Sequence, residues 1–181
     1  MRKINTIVVL LIMVLLLDHA LFASLNSVGI GNGVIPALAH TFLTLVLIHA
    51  LISLLITIRA EKAGFVTGAR YNKENAAFWN RRVTGVAILV LAITHASLMQ
   101  RNETGRRNIA SMPKIFEFTL PLLIVCVYLH VLSNIRPLLI ALGARNIDKK
   151  EKIIKVLFSV FMLLALLASI YRAFFYSGGH H

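Results

Sequence analysis

The sequence predicts an all-α integral membrane protein, a bundle of five transmembrane helices with its N-terminus in the cytoplasm and its C-terminus outside. Three observations carry this expectation. Hydrophobic residues make up 58% of the 181-residue chain and charged residues only 14%, a balance that excludes a disordered tail. A single cysteine, Cys126, excludes a disulfide-stapled secreted module. The 19 Lys+Arg against 7 Asp+Glu would suggest nucleic acid in a soluble protein, but nearly all of these charges fall in short gaps between five long apolar runs. The excess is therefore topological, and no nucleic-acid partner is expected. At about 20 apolar residues per span, five runs leave almost no extramembrane domain.

The first run, Ile4 to Ala23, follows Arg2-Lys3 and ends near small residues. These are features of a secretory leader as well as of a first span, and the run is assigned as a span. Ser24 to Ile35 carries no charge and three glycines, Gly29, Gly31 and Gly33, which predicts a tight turn or close backbone approach on the outer side. The second run, Pro36 to Ile58, leads into a long basic connection with Arg59, Lys62, Arg70, Lys73, Arg81 and Arg82. After the third run, Val83 to Met99, come only Arg101, Arg106, Arg107 and Lys114. The fourth run, Phe116 to Leu142, is followed by Arg145, Lys149, Lys150, Lys152 and Lys155, the last two at the edge of the fifth run, Ile153 to Phe175. Basic residues thus concentrate beside the first span and in the second and fourth connections, which sets those in the cytoplasm. The segment Ser177-Gly178-Gly179-His180-His181 resembles the remnant of a purification tag. Residues 1–176 are then one five-helix domain.

Five histidines remain, His19, His40, His49, His95 and His130, and all lie inside predicted spans. Ionisable residues at that depth are costly and mark function by default. With the middle of each run as the bilayer centre, His19 lies roughly 7 Å and His95 roughly 6 Å toward the outside, while His49 and His130 each lie about 3 Å toward the cytoplasm. Two imidazoles at one level on facing helices are what a six-coordinate haem needs, one axial ligand from each side. Two pairs at two depths imply two haems stacked across the membrane. A mononuclear zinc site fits less well, since it wants three or four converging ligands. His40 sits about 10 Å outside the centre, on the helix face opposite His49. His49 is preferred as the ligand because its depth matches His130, and His40 becomes a candidate for the edge of the outer haem or for a quinone.

The stretch Arg59...Ala69-Arg70-Tyr71...Phe78-Trp79-Asn80-Arg81-Arg82-Val83-Thr84-Gly85, with His95 ten residues after the glycine, resembles the cytochrome b558 membrane anchor of succinate:quinone oxidoreductases and quinol:fumarate reductases. The likeness covers most of the chain. It implies five spans, an N-terminus on the negative side of the cytoplasmic (inner) membrane, and two haem b groups. The outer haem would take His19 and His95, and the inner haem His49 and His130. Soluble flavoprotein and iron-sulfur subunits would dock on the cytoplasmic face, and quinone would exchange electrons with the haems. The chain departs from the pattern of some di-haem fumarate reductases, which carry a glutamate close to the fourth-span histidine; here the neighbours are Tyr128 and Leu129.

Asp18 is the only acidic residue well inside a span; with His40 it forms a candidate quinone site at the outer end, and Trp79 with Asn80 and Arg82 forms one at the inner end. Arg59, Arg82 and Arg136 lie near the cytoplasmic ends of their spans, where they would pair with haem propionates or simply flank the membrane. Ser53, Thr84 and Ser133 are placed to bond across helices or to their own carbonyls, and lone Cys126 is expected to be inert. The function expected is that of a di-haem b anchor transferring electrons between an iron-sulfur subunit and quinone, itself converting no dicarboxylate. The alternatives are a di-haem cytochrome b of another membrane dehydrogenase, or a small histidine-containing transporter or haem carrier, which would show discontinuous helices or repeats.

Overall fold

The computed structural model describes residues 2–27, 36–67, 72–98 and 115–176. They form five α-helices: α1 (Arg2–Ser27), α2 (Pro36–Thr67), α3 (Asn72–Leu98), α4 (Ile115–Ala141) and α5 (Ile147–Tyr176). Each contains a stretch long and apolar enough to cross a membrane: Lys3–Leu25, Leu38–Lys62, Phe78–Leu98, Phe118–Ala141 and Ile147–Tyr171. The chain is a multi-pass, all-helical membrane protein. The glycine-rich connection Gly29 to Gly33, the residues Arg70 and Tyr71, the third connection with Arg101, Arg106, Arg107 and Lys114, and the terminal 177–181 lie outside the described residues.

The helices outrun their apolar cores at the basic end. α2 has 32 residues, about 48 Å of helix against a hydrocarbon core of about 30 Å. Its last turns carry Arg59, Glu61 and Lys62, and α3 already begins at Asn72. Most of what the apolar pattern marks as a long basic connection is therefore helix, because hydropathy sets where a helix enters lipid and not where its backbone hydrogen bonding ends. At the other basic connection α4 stops in a Schellman turn, with Gly143 at φ 66°, its N–H donating to the Ile140 carbonyl (3.0 Å) and that of Ala144 to the Leu139 carbonyl (3.0 Å). Asn146, at φ 54°, turns the chain into α5, whose first turn holds Asp148, the charge favoured at a helix N-terminus. Lys149, Lys150 and Lys152 consequently lie on the first turns of α5 and not in a loop.

α1 packs on α2, α2 on α3, and α3 on α4, closing a four-helix ring through a slight contact of α4 with α1; α5 covers that seam, packed on both α4 and α1. Among the described residues no Cα of α1 comes within 8 Å of one on α3, nor one of α2 within 8 Å of one on α4. These two helix pairs face each other across the diagonals. The buried apolar side chains are Ile135 and Leu139 on α4 and Phe158, Met162 and Ala165 on α5, with Ser169 the buried polar residue. No described side chain of α2 or α3 is buried.

Candidate functional site: two histidine pairs across the diagonals

The histidines bridge the diagonals that the backbones leave apart. His19 of α1 and His95 of α3 have ring centres 6.2 Å apart with planes at 83°. His49 of α2 and His130 of α4 have ring centres 6.5 Å apart with planes at 79°. Two imidazoles bound on opposite sides of one metal ion, at about 2.0 Å each, have ring centres about 6.2 Å apart. Both pairs stand at that spacing. Among the described residues no group of three or more His, Cys, Asp or Glu converges on one point; the histidines meet in twos.

The neighbours of each ring fix the order of the two levels. His19 meets the ring of Phe42 (5.7 Å between centres), and His49 lies two turns further along α2. The Asn5 side chain bonds His49, and His19 follows it along α1 by about 21 Å. On α3, Thr84 bonds His130, and His95 follows by about 16 Å. Three helices therefore place the His49/His130 pair toward the end that carries Arg59 and Arg82, and the His19/His95 pair toward the other. The separation on α1 and α3 exceeds the roughly 10 Å that run midpoints give. A midpoint ignores the unequal lengths of the runs and any tilt of the helices.

The His49/His130 level is tied by polar contacts between neighbouring helices. His49 Nδ1 lies 3.0 Å from Asn5 Oδ1 of α1, and His130 Nδ1 3.0 Å from Thr84 Oγ1 of α3. The His130 carbonyl accepts from Ser133 Oγ (2.8 Å) and Asn134 Nδ2 (2.7 Å) on its own helix. Arg82 of α3 donates from Nε to Thr57 Oγ1 of α2, and Thr57 in turn donates to the Ser53 carbonyl (2.7 Å). The guanidinium of Arg82 lies 4.4 Å from the centre of the Phe78 ring, against which Trp79 packs edge-on at 5.7 Å. Among the described residues no acidic side chain pairs with Arg82.

The remaining candidates are distributed unevenly. Arg136 is turned to α5, where its Nη1 donates to Asp148 (2.8 Å) and Glu151 (3.0 Å); its charge is committed there and not to the histidines. His40 is exposed, and its carbonyl accepts from Thr44. Asp18 is half-buried with no hydrogen-bond partner among the described residues. Trp79 is half exposed. Cys126 is a free thiol. Sequence reasoning did not single out Asn5. Its signal was an amide near the end of an otherwise apolar run, which hydropathy averages away. Comparisons of the chain with protein-family models, with curated proteins and with solved structures find no match to any of the three.

Proposed function

We propose that this chain is a di-haem b membrane subunit that carries electrons between a soluble partner at its basic end and membrane quinone. The observation that carries the reading is the two diagonal histidine couples, with ring centres 6.2 and 6.5 Å apart, set at two levels of one bundle, each of which could hold one haem between its rings. A second observation supports it: the ring of α1 to α4 has almost no core of its own side chains, while interiors normally pack as densely as organic crystals.

In this reading His19 and His95 hold one haem and His49 and His130 the other. Haem so ligated supplies reversible one-electron storage on iron, which amino-acid side chains of this chain do not offer. The protein's residues supply position and charge. His49 and His130 are oriented from the neighbouring helices, and Phe42 flanks His19. Arg82, inside the span and held by Thr57, is the cation placed to meet a propionate of the inner haem. Asp18 and His40 at the far end, or Trp79 and Arg82 at the basic end, would serve a quinone, which must reach both an electron and a proton source. The far end is favoured, since Asp18 is a carboxyl in a span without a described partner.

With the basic end set in the cytoplasm by its charge, the N-terminus is cytoplasmic and the C-terminus outside. The flavoprotein and iron-sulfur subunits of a succinate dehydrogenase or fumarate reductase would dock against the helical extensions of α2 and α3 and the first turns of α5. The same ligand geometry would serve a cytochrome b of another dehydrogenase, and co-purified subunits distinguish the two. A transporter is disfavoured because all five helices run unbroken through their spans.

The deciding experiment is a reduced-minus-oxidised spectrum and pyridine haemochrome assay of the purified chain. Two b haems per chain are expected. His49→Ala and His130→Ala should each abolish the same one, and His19→Ala and His95→Ala the other. A chain without haem, or His40→Ala losing a haem that His49→Ala keeps, would overturn the assignment.

A further inference from the structure

The hydrogen bonds around the inner histidines determine where their protons sit. Thr84 has one hydroxyl proton, and its Oγ1 donates it to the Asn80 carbonyl at 2.8 Å, with the Arg81 carbonyl at 3.4 Å as a longer alternative. Toward His130 Nδ1, 3.0 Å away, Thr84 is left as an acceptor, so that nitrogen is the donor. On the other side of the pair, the Asn5 amide oxygen lies 3.0 Å from His49 Nδ1 and likewise only accepts. Beside Gly85 the ring leaves room for a methyl and no more, since a Cβ there would stand in contact, 3.4 Å from His130 Cε1 and 3.8 Å from Nδ1. Anything larger than a methyl would push the ring away from Thr84.

From this we infer that Asn5 and Thr84 are positioning residues. They hold a proton on Nδ1 of His49 and of His130, leave each Nε2 lone pair for the metal, and lower the reduction potential of the inner site by making both imidazoles more basic ligands. The inference rests on the haem reading above and adds to it which of this chain's residues tune one of the two sites. The two acceptors come from α1 and α3, the helices that ligate the other level. The inner level is therefore oriented by the helices that hold the other level.

The test uses the full-length chain with its haem, and reads the potential of each haem by redox titration and haem content by pyridine haemochrome. Asn5→Leu and Thr84→Val remove the acceptors. Each should raise the potential of the inner haem and weaken its retention by about 10- to 100-fold, with the outer haem unchanged. Asn5→Asp substitutes a stronger acceptor and should move the same potential down, and Thr84→Ser should restore the parent value. That reversal of sign is something a merely structural role does not produce. If Asn5→Leu does not assemble, Asn5→Asp and the Thr84 pair still read the sign. Shifts of one sign for Asn5→Leu and Asn5→Asp, or unchanged potentials throughout, overturn the inference while the haem reading stands. A parent chain without haem overturns both, and is recognised from its own spectrum before any variant is made.

Discussion

Along the α4–α5 hairpin, Phe158, Met162, Ala165 and Ser169 form one buried seam at alternating steps of four, three and four, and Ile135 and Leu139 are buried on α4 nearer the turn. Tyr128 stacks on Phe158 with ring centres 6.5 Å apart and bonds Ser159 across the interface (3.1 Å). Along α2 and α3 no described side chain is buried, and polar cross-helix contacts include His49 to Asn5, His130 to Thr84 and Arg82 to Thr57. The same chain thus builds one part as an ordinary packed helix pair and another around imidazole and hydroxyl groups. In lipid there is no hydrophobic drive to bring helices together, so close packing and interhelical bonds must do it. The hairpin has both. α1, α2 and α3 have mainly the bonds, and under the proposed function their cohesion would depend on the group held between the imidazoles.

The largest effect expected from this contrast is on amide exchange after loss of the inner ligands. In His49→Ala/His130→Ala the protection of α1, α2 and α3 should collapse relative to the parent protein, while α5 and the second half of α4 keep theirs. Equal loss across all five helices would show that the two parts are one cooperative unit. The converse substitution, Phe158→Ala, removes the largest side chain of the packed seam and should cost about 3–5 kcal/mol, measured by unfolding from detergent micelles. Haem content should stay near that of the parent at temperatures below the new transition.

Gly85 sharpens the comparison at one position. Gly85→Ala adds a methyl at ordinary contact distance from His130 and raises helix propensity by about 1 kcal/mol, so its inner haem should be retained. Gly85→Val adds a branched side chain to the same spot and should displace the ring, with the inner haem lost and the outer kept in the haemochrome assay. Partner docking is tested at the hairpin's own end. Lys149, Lys150 and Lys152 are exposed on α5, and their reversal to Glu should release the soluble subunits on size exclusion; a complex that stays assembled would move the docking surface to the α2 and α3 extensions.

Much of this arrangement is legible in the sequence because a membrane restricts the options. Five apolar runs separated by charge give five helices, and the direction of each run tells which histidines share a level. Two features escape for physical reasons. The ends of α2, α3 and α5 are set by backbone hydrogen bonding and by the positive φ of Gly143 and Asn146, to which an apolar run is blind. Asn5, and the ring that Thr84 reaches across the helices, depend on the direction of one side chain each, and depth along a helix carries no information about azimuth. Arg136 shows the same limit, since its depth resembled that of Arg82 while its partners proved to be on α5.

Those two arginines provide the finest test of the comparison, and the smallest expected effect. Both lie near the basic end of neighbouring helices, but Arg82 points between α2 and α3, where it finds Thr57 and the Phe78 ring, and Arg136 points to the hairpin, where Asp148 and Glu151 already balance its charge. A guanidinium without a carboxylate partner inside a span is costly unless an anion joins it, and the inner haem's propionate is the anion the proposed function supplies. Arg82→Gln should therefore lower the inner haem's potential, because losing a cation beside the site favours the oxidised iron, by less than an acceptor loss at Asn5 raises it, with only a slight change in its reduced-state band. Arg136→Gln should leave both unchanged and, through the loss of its ion pairs with Asp148 and Glu151, lower the thermal transition only slightly. If Arg136→Gln shifts the inner haem while Arg82→Gln does not, the charge that matters lies on the packed hairpin, and the division between the two parts of the bundle fails at its basic end.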